Sequence, residues 1–441
     1  MPSTPFRPGE ARVGWLVDGS DETPHVSTLL QRENDCLTLT VPWIGHESPY
    51  ERWFGSGVRW GDDPDRTRFR YEPPEMLWFV SPDGRVGLVD CYSLGSRMRV
   101  PGTGEGTIGV RMAVHGASED EDYRQINGMQ STVPGLGLWL GRHAFERTTE
   151  RREDGLIATL KLSWKRDPAI RVSRQLNLAF TQGFEFRDVV PGDQSVLEDR
   201  FLVQTLVQDA RPWTDHLDLH LGIRDLVALA SWDPFDLSHL TVTRSSDPAR
   251  TLDGTSRGRQ WLPAEAFVYQ SGGVLERKPR FLFDFDDIGT GGVHRWLHIR
   301  KRHLRTVQPL VFSLRQSYVP LETHLLQVGA AVEALGYDLA RHAGLSKRMA
   351  KDEPFIDRAR RVLQSLGNDL PGDVLSWPDD LRQTYRGAKH AEHPLPQAEE
   401  AFQVLQTTRL VLRMWLGQRL GARIQTLRRR APQEHMAVRD W

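Results

Sequence analysis

The residues best suited to chemistry sit in one short stretch, Tyr385-Arg386-Gly387-Ala388-Lys389-His390-Ala391-Glu392-His393-Pro394. Read as the end of a helix from about Asp379 to His393, stopped by Pro394, it sets Arg386, His390 and His393 at i, i+4 and i+7 on one face. A permanently charged guanidinium can grip phosphate oxygens bidentately. An imidazole that titrates near neutrality can move a proton to or from a ribose hydroxyl. The pairing suits a phosphodiester and calls for no metal. The same residues would also serve an ordinary polar helix face whose terminal histidine is stabilised by the helix dipole, and on type and spacing alone both readings stay open.

Other groupings carry less. Gly104-Glu105-Gly106-Thr107-Ile108-Gly109 has the GxGxxG form, but a dinucleotide site needs a helix to follow, and Val110 to His115 reads as a strand. A glycine-rich hairpin turn is expected there. Asp284, Asp286 and Asp287 precede Gly289, yet Ile288 and Arg295 stand where a calcium loop needs oxygen ligands; a strand end entering a turn is expected. His216 and His220 share one face of a strand reading of residues 216–221, with no third ligand placed beside them. His294, His298 and His303 stand among Arg295, Arg300, Lys301 and Arg302, where a cation is disfavoured and exposed helix surface is expected. No cofactor and no metal site is expected.

The elements that must position these residues differ along the chain. Up to about residue 310, short alternating segments such as Cys36–Trp43 and Leu160–Trp164 lie between Pro and Gly clusters, the pattern of an antiparallel sandwich or barrel-like body. A bridging helix or linker is expected over Val293–Val319. Beyond it, Leu325, Val328, Val332 and Leu335 fall on one helical face. A second helix fits Asp352–Leu366, the third carries Arg386, and a long apolar fourth fits Glu399–Leu420 with Gly421 as its C-cap. The fold class expected is α+β, with a strand-rich domain over residues 1–310 and an all-α bundle over residues 311–441.

Composition agrees with two differently built parts. Of 14 Trp, 11 precede residue 300, and the net charge of −1 combines about −4 over residues 1–320 with about +3 over residues 321–441. Near neutrality argues against a protein that coats nucleic acid by bulk charge, but not against a local basic site. Only two cysteines, Cys36 and Cys91, exclude a disulfide framework and point to a reducing compartment. The N-terminus lacks a signal-peptide pattern and no run could span a bilayer, so a cytoplasmic protein without membrane contact is expected.

On the Arg-x6-His spacing of Arg386 and His393, the following Pro394 and the long apolar helix, the bundle resembles a HEPN domain. With the passages Phe281–Gly289 and Trp296, and Tyr318–Glu322 to Ala331–Leu335, the whole chain resembles the ApeA-like proteins, in which a large strand-rich domain precedes such a bundle. The resemblance implies a metal-independent endoribonuclease in anti-phage defence by abortive infection, acting as a homodimer through its HEPN domains. It implies that Arg386 binds the scissile phosphate and that His393 is the general acid/base while the 2′-hydroxyl attacks. It further implies an N-terminal domain that senses a phage-derived trigger. The residue after the arginine is usually polar in this family and here is Gly387, which leaves His390 as a substitute or second participant. That departure also keeps open a catalytically inactive bundle for dimerisation or RNA binding beneath a ligand-sensing β domain. A carbohydrate-directed β-sandwich is a third reading, which requires carboxylate pairs in a cleft.

Overall fold

The structure, a computed structural model, describes residues 5–19, 25–33, 36–44, 50, 53–54, 73–99, 103–143, 145–190, 194–251, 253–267, 278–316, 319–367, 372–394 and 396–435. Trp60 and Tyr318 lie outside these residues. The first elements are β1 (Ala11–Val17), β2 (Val26–Arg32), β3 (Leu37–Ile44), β4 (Met76–Ser81), β5 (Gly84–Arg99), β6 (Thr103–His115) and β7 (Gln125–Thr132). Next come α1 (Leu136–Trp139), β8 (Phe145–Arg151), β9 (Ile157–Trp164), β10 (Ile170–Ser173), β11 (Leu178–Val190), β12 (Gln194–Pro212) and α2 (Trp213–Ser231). Four short strands follow: β13 (Ser238–Thr243), β14 (Pro248–Arg250), β15 (Ser256–Arg259) and β16 (Leu262–Ala266). The rest is helical: α3 (Phe285–Arg302), α4 (Leu304–Arg315), α5 (Leu321–His342), α6 (Lys347–Asp352), α7 (Phe355–Gln364), α8 (Gly372–Leu375), α9 (Trp377–Lys389), α10 (Ala398–Leu420) and α11 (Ile424–His435).

This is the α+β architecture expected from the sequence. The chain forms two compact units. One comprises residues 1–132, 204–218 and 237–270; the other comprises residues 133–203, 219–236 and 271–441.

The first unit is built on a closed antiparallel barrel in the order β6-β3-β2-β1-β4-β5, with β5 returning to β6. Closure leaves no free edge in the ring. The long β5 bends where its register shifts between Ser93 and Gly95. Leu16, Leu30, Leu39, Val41, Leu77, Phe79, Leu88 and Ile108 fill the core. The glycine-rich segment is not a hairpin turn; it lies inside β6. A Cβ on Gly104 would strike the Trp43 ring, one on Gly106 the Phe54 ring, and one on Gly109 would sit 2.5 Å from Tyr92. The glycines are there because aromatic side chains lie flat across the strand. Buried Glu265 accepts hydrogen bonds from Arg32 and, at 2.9 Å, from His115 Nε2. His216 belongs to helix α2, not to a strand: its Nδ1 accepts from Thr205 Oγ1 at 2.8 Å and its Nε2 donates to the Ile126 carbonyl at 3.2 Å. Burial pushes its pKa down.

In the second unit α5, α7, α9 and α10 form the bundle, and glycines set its closest approaches. A Cβ on Gly329 would collide with the Tyr385 ring, and one on Gly336 with Arg358. Leu325 and Val328 of α5 pack on Ala401 and Leu405 of α10. Trp377 Nε1 donates to Thr408 Oγ1 at 2.8 Å, tying α9 to α10. Arg413, buried on α10, donates to the carbonyls of Leu229 at 2.6 Å and Ala230 at 2.9 Å, capping the C-terminal end of α2. Gly421 ends α10 with φ 117°, the left-handed cap expected from the sequence. Asp284 and Asp287 do not close a strand. They make a reciprocal capping box that starts α3, and Arg430 bonds both carboxylates at 2.9 and 2.8 Å. Among the described residues no helix is long and apolar enough to cross a membrane.

Candidate active site

The C-terminal third of α9 is anchored by Tyr385. Its ring fills the gap left by Gly329, stacks on Phe355 at 4.9 Å, and carries Lys389 Nζ 5.3 Å from its centroid. Burial, with the charge of Glu333, raises the Tyr385 pKa, so this hydroxyl stays protonated. With Tyr385 turned inward, the next residue, Arg386, is exposed.

The helix does not run on to His393. It ends at Lys389, and His390 is its C-cap with extended backbone (φ −126°, ψ 118°). The His390 amide still donates to the Arg386 carbonyl at 2.9 Å, and the His393 amide donates to the His390 carbonyl at 3.1 Å, closing a turn over Ala391 and Glu392. The i, i+4, i+7 face expected from the sequence is therefore replaced by a helix end and a turn. The cause lies at Gly387, where a Cβ would meet the Pro394 carbonyl oxygen at 2.6 Å and Pro396 Cδ at 3.1 Å. The chain turns back across the last turn of α9, and it can do so only if the helix stops first and this position has no side chain.

The turn keeps the three residues in one neighbourhood by another route. The His390 and His393 rings lie 6.2 Å apart at 83°. Glu392 Oε1 stands 3.8 Å from His390 Nδ1. The Glu392 carboxyl is held below the ordinary carboxylate range, first by its own backbone amide and then, against a desolvation cost, by the charges of His390, His393 and Arg386. Two imidazoles and one carboxylate thus share a surface turn directly beyond the last turn of α9, which carries the Arg386 guanidinium. His390 and Glu392 are open to solvent and His393 is half-buried. Glu392 is the residue that sequence reasoning missed; its signal was a carboxylate lying between two histidines within four positions.

Chemically, the arrangement offers a fixed cation for an anionic oxygen and imidazoles able to take and return a proton. Among the described residues no group of three or more His, Cys, Asp or Glu gathers to hold a metal ion. The His294 and His298 rings lie 4.7 Å apart on α3, and His303 Nδ1 pairs with Asp338 at 2.8 Å.

Comparison with known proteins adds one match. The model of the family described as ApeA N-terminal domain 1 matches residues 27–296. No curated protein and no solved structure matches the chain.

Proposed function

The chain belongs to the ApeA N-terminal domain 1 family, which associates it with anti-phage defence, and from that premise we propose that it is a metal-independent endoribonuclease of the HEPN type, acting by abortive infection. The family match ends at Trp296, so the catalytic part of this reading rests on the chain's own α9 loop. The observation that carries it is the placing of His390 and His393, rings 6.2 Å apart with Glu392 Oε1 3.8 Å from His390 Nδ1, on the turn that follows directly on the last turn of α9, which carries Arg386.

In this reading Arg386 holds the scissile phosphate and neutralises charge that builds on its oxygens. His393 removes the proton of the adjacent 2′-hydroxyl or protonates the leaving 5′-oxygen, with His390 available for the other transfer. The products are a 2′,3′-cyclic phosphate and a 5′-hydroxyl. Two copies pair through their bundles so that both loops face one RNA, and the barrel unit senses a phage-derived trigger in the cytoplasm. A bundle that binds RNA or dimerises without catalysis is the alternative suggested by Gly387, but packing against Pro394 supplies a separate reason for that glycine.

The test is expression in phage-challenged cells of the wild type, Arg386→Ala, His393→Ala and His390→Ala, followed by growth and RNA integrity. Growth arrest with RNA breakdown in the wild type, lost in Arg386→Ala and His393→Ala, supports the proposal. Intact RNA in all four strains sinks it.

A further inference from the structure

Between Asp287 and Glu322 the sequence has no acidic residue, yet it holds Arg295, Arg300, Lys301, Arg302, Arg305 and Arg315 together with three histidines. Arg300 pairs with Asp225 at 3.6 Å and Arg315 with Asp236 at 2.7 Å. The remaining four have exposed side chains. Arg295, His298 and Arg302 are exposed at i, i+3 and i+7 of α3, Lys301 is exposed beside them, and Arg305 is exposed in the first turn of α4.

The charge continues onto neighbouring helices. Arg302 Nη2 donates to His342 Nε2 at 2.5 Å, joining the stripe to the last turn of α5, where Arg341 is exposed. Arg295 donates to the Leu420 carbonyl at the end of α10, and Arg419 and Arg423 are exposed on either side of that end. Asp338, bonded to His303, offsets part of this charge. Like charges at helical spacing repel one another, and a polyanion laid along them removes that cost.

We infer that the outer face of α3, with the adjoining ends of α5 and α10, is a docking surface for the sugar-phosphate backbone of RNA, separate from the Arg386–His393 loop. The inference rests on the reading that the substrate is RNA. Arginine dominates the surface, and its planar fork matches phosphate oxygens and stacks on bases. The two regions stand at opposite ends of α10. The catalytic loop leads into its first residue, and Arg295 meets its last, 22 residues on, about 33 Å by helix rise. The surface therefore selects RNAs long enough to run the length of α10, and a dinucleotide reaches only the catalytic loop.

The experiment uses the full chain carrying Arg386→Ala, which keeps RNA intact, with and without Lys301→Gln, Arg302→Gln and Arg305→Gln together. Fluorescence anisotropy with a single-stranded RNA of roughly 30 nucleotides is read across salt concentration, beside sedimentation with phosphatidylserine vesicles. The expected result is an affinity weakened tenfold or more. The salt slope should fall by about 2, as three lost phosphate contacts require, at an unchanged melting temperature. In the otherwise wild-type chain the triple substitution slows cleavage of the long RNA and leaves cleavage of a dinucleotide unchanged. RNA affinity and salt slope unchanged within twofold, or loss of vesicle binding with RNA binding intact, overturns the inference. If RNA binds through this face but the wild type cleaves nothing, the nuclease reading fails and the docking surface stands; cleavage indifferent to the triple substitution is the converse.

Discussion

Gly387 and Pro394 are locked against each other: the Pro394 carbonyl oxygen lies 2.6 Å from where a Gly387 Cβ would be. That contact ends α9 at Lys389, turns the chain over Ala391 and Glu392, and sets His390 and His393 on a turn just beyond the helical Arg386.

Gly387→Ala is therefore expected to act against helix propensity. In an ordinary helix interior the change stabilises by about 1 kcal/mol. Here the added methyl displaces the returning chain, and a net loss of about 1–3 kcal/mol is expected, in the range of overpacked sites. Urea unfolding of the two proteins checks the sign. A stability equal to or above wild type would mean that the contact does not constrain the loop.

How far this loop was legible in the sequence follows from the same contact. The residue types and the stop at Pro394 were readable, but the helix end was not, because it is set by a tertiary approach that no local propensity records. The long helix α10 was legible to within a residue, since Gly421 supplies a local stop signal. In contrast, residues 216–221 read as a strand and lie in helix α2. Its second half, from Gly222 to Ser231, is buried all round, so it shows no polar face, and the alternation of residues 216–221 imitates a period of two. The glycines of β6 looked like a turn because the rings of Trp43, Phe54 and Tyr92 that demand them come from distant segments.

In the barrel unit, Glu265 is the shared acceptor of Arg32 and His115. Glu265→Ala leaves the Arg32 guanidinium without its carboxylate partner at a site where both side chains are largely buried. Breaking such a pair from one side costs about 3–5 kcal/mol. A drop of that size in the stability of this unit is expected by denaturant unfolding, and a loss below about 1 kcal/mol would contradict the role given to the pair.

His324 supplies a pH test in the helical unit. Burial first, and then the charge of Arg409, push its pKa down from 6.5 to about 4, while the neighbouring Gln327 pulls the other way. Because the folded pKa is depressed, the unfolded chain binds more protons between these values. Stability is thus full above about pH 6.5 and falls as the pH drops toward 4. Between pH 6.5 and 5 the loss from this group is about 1.5 kcal/mol. His324→Gln should show a flatter stability profile across that window, and an identical slope in both proteins would remove His324 as the source.

On the proposed function, Arg386 and His393 cut RNA without a metal. The most direct measurement of this is the identity of product ends when purified protein is incubated with RNA in the presence of EDTA, comparing wild type, Arg386→Ala and His393→Ala. Expected are 2′,3′-cyclic phosphate and 5′-hydroxyl ends from the wild type and a rate lowered at least about a hundredfold in each variant, the lower bound for a lost acid/base or charge-stabilising group. Undiminished cleavage in both variants, cleavage abolished by EDTA, or products ending in 3′-hydroxyl groups would contradict it.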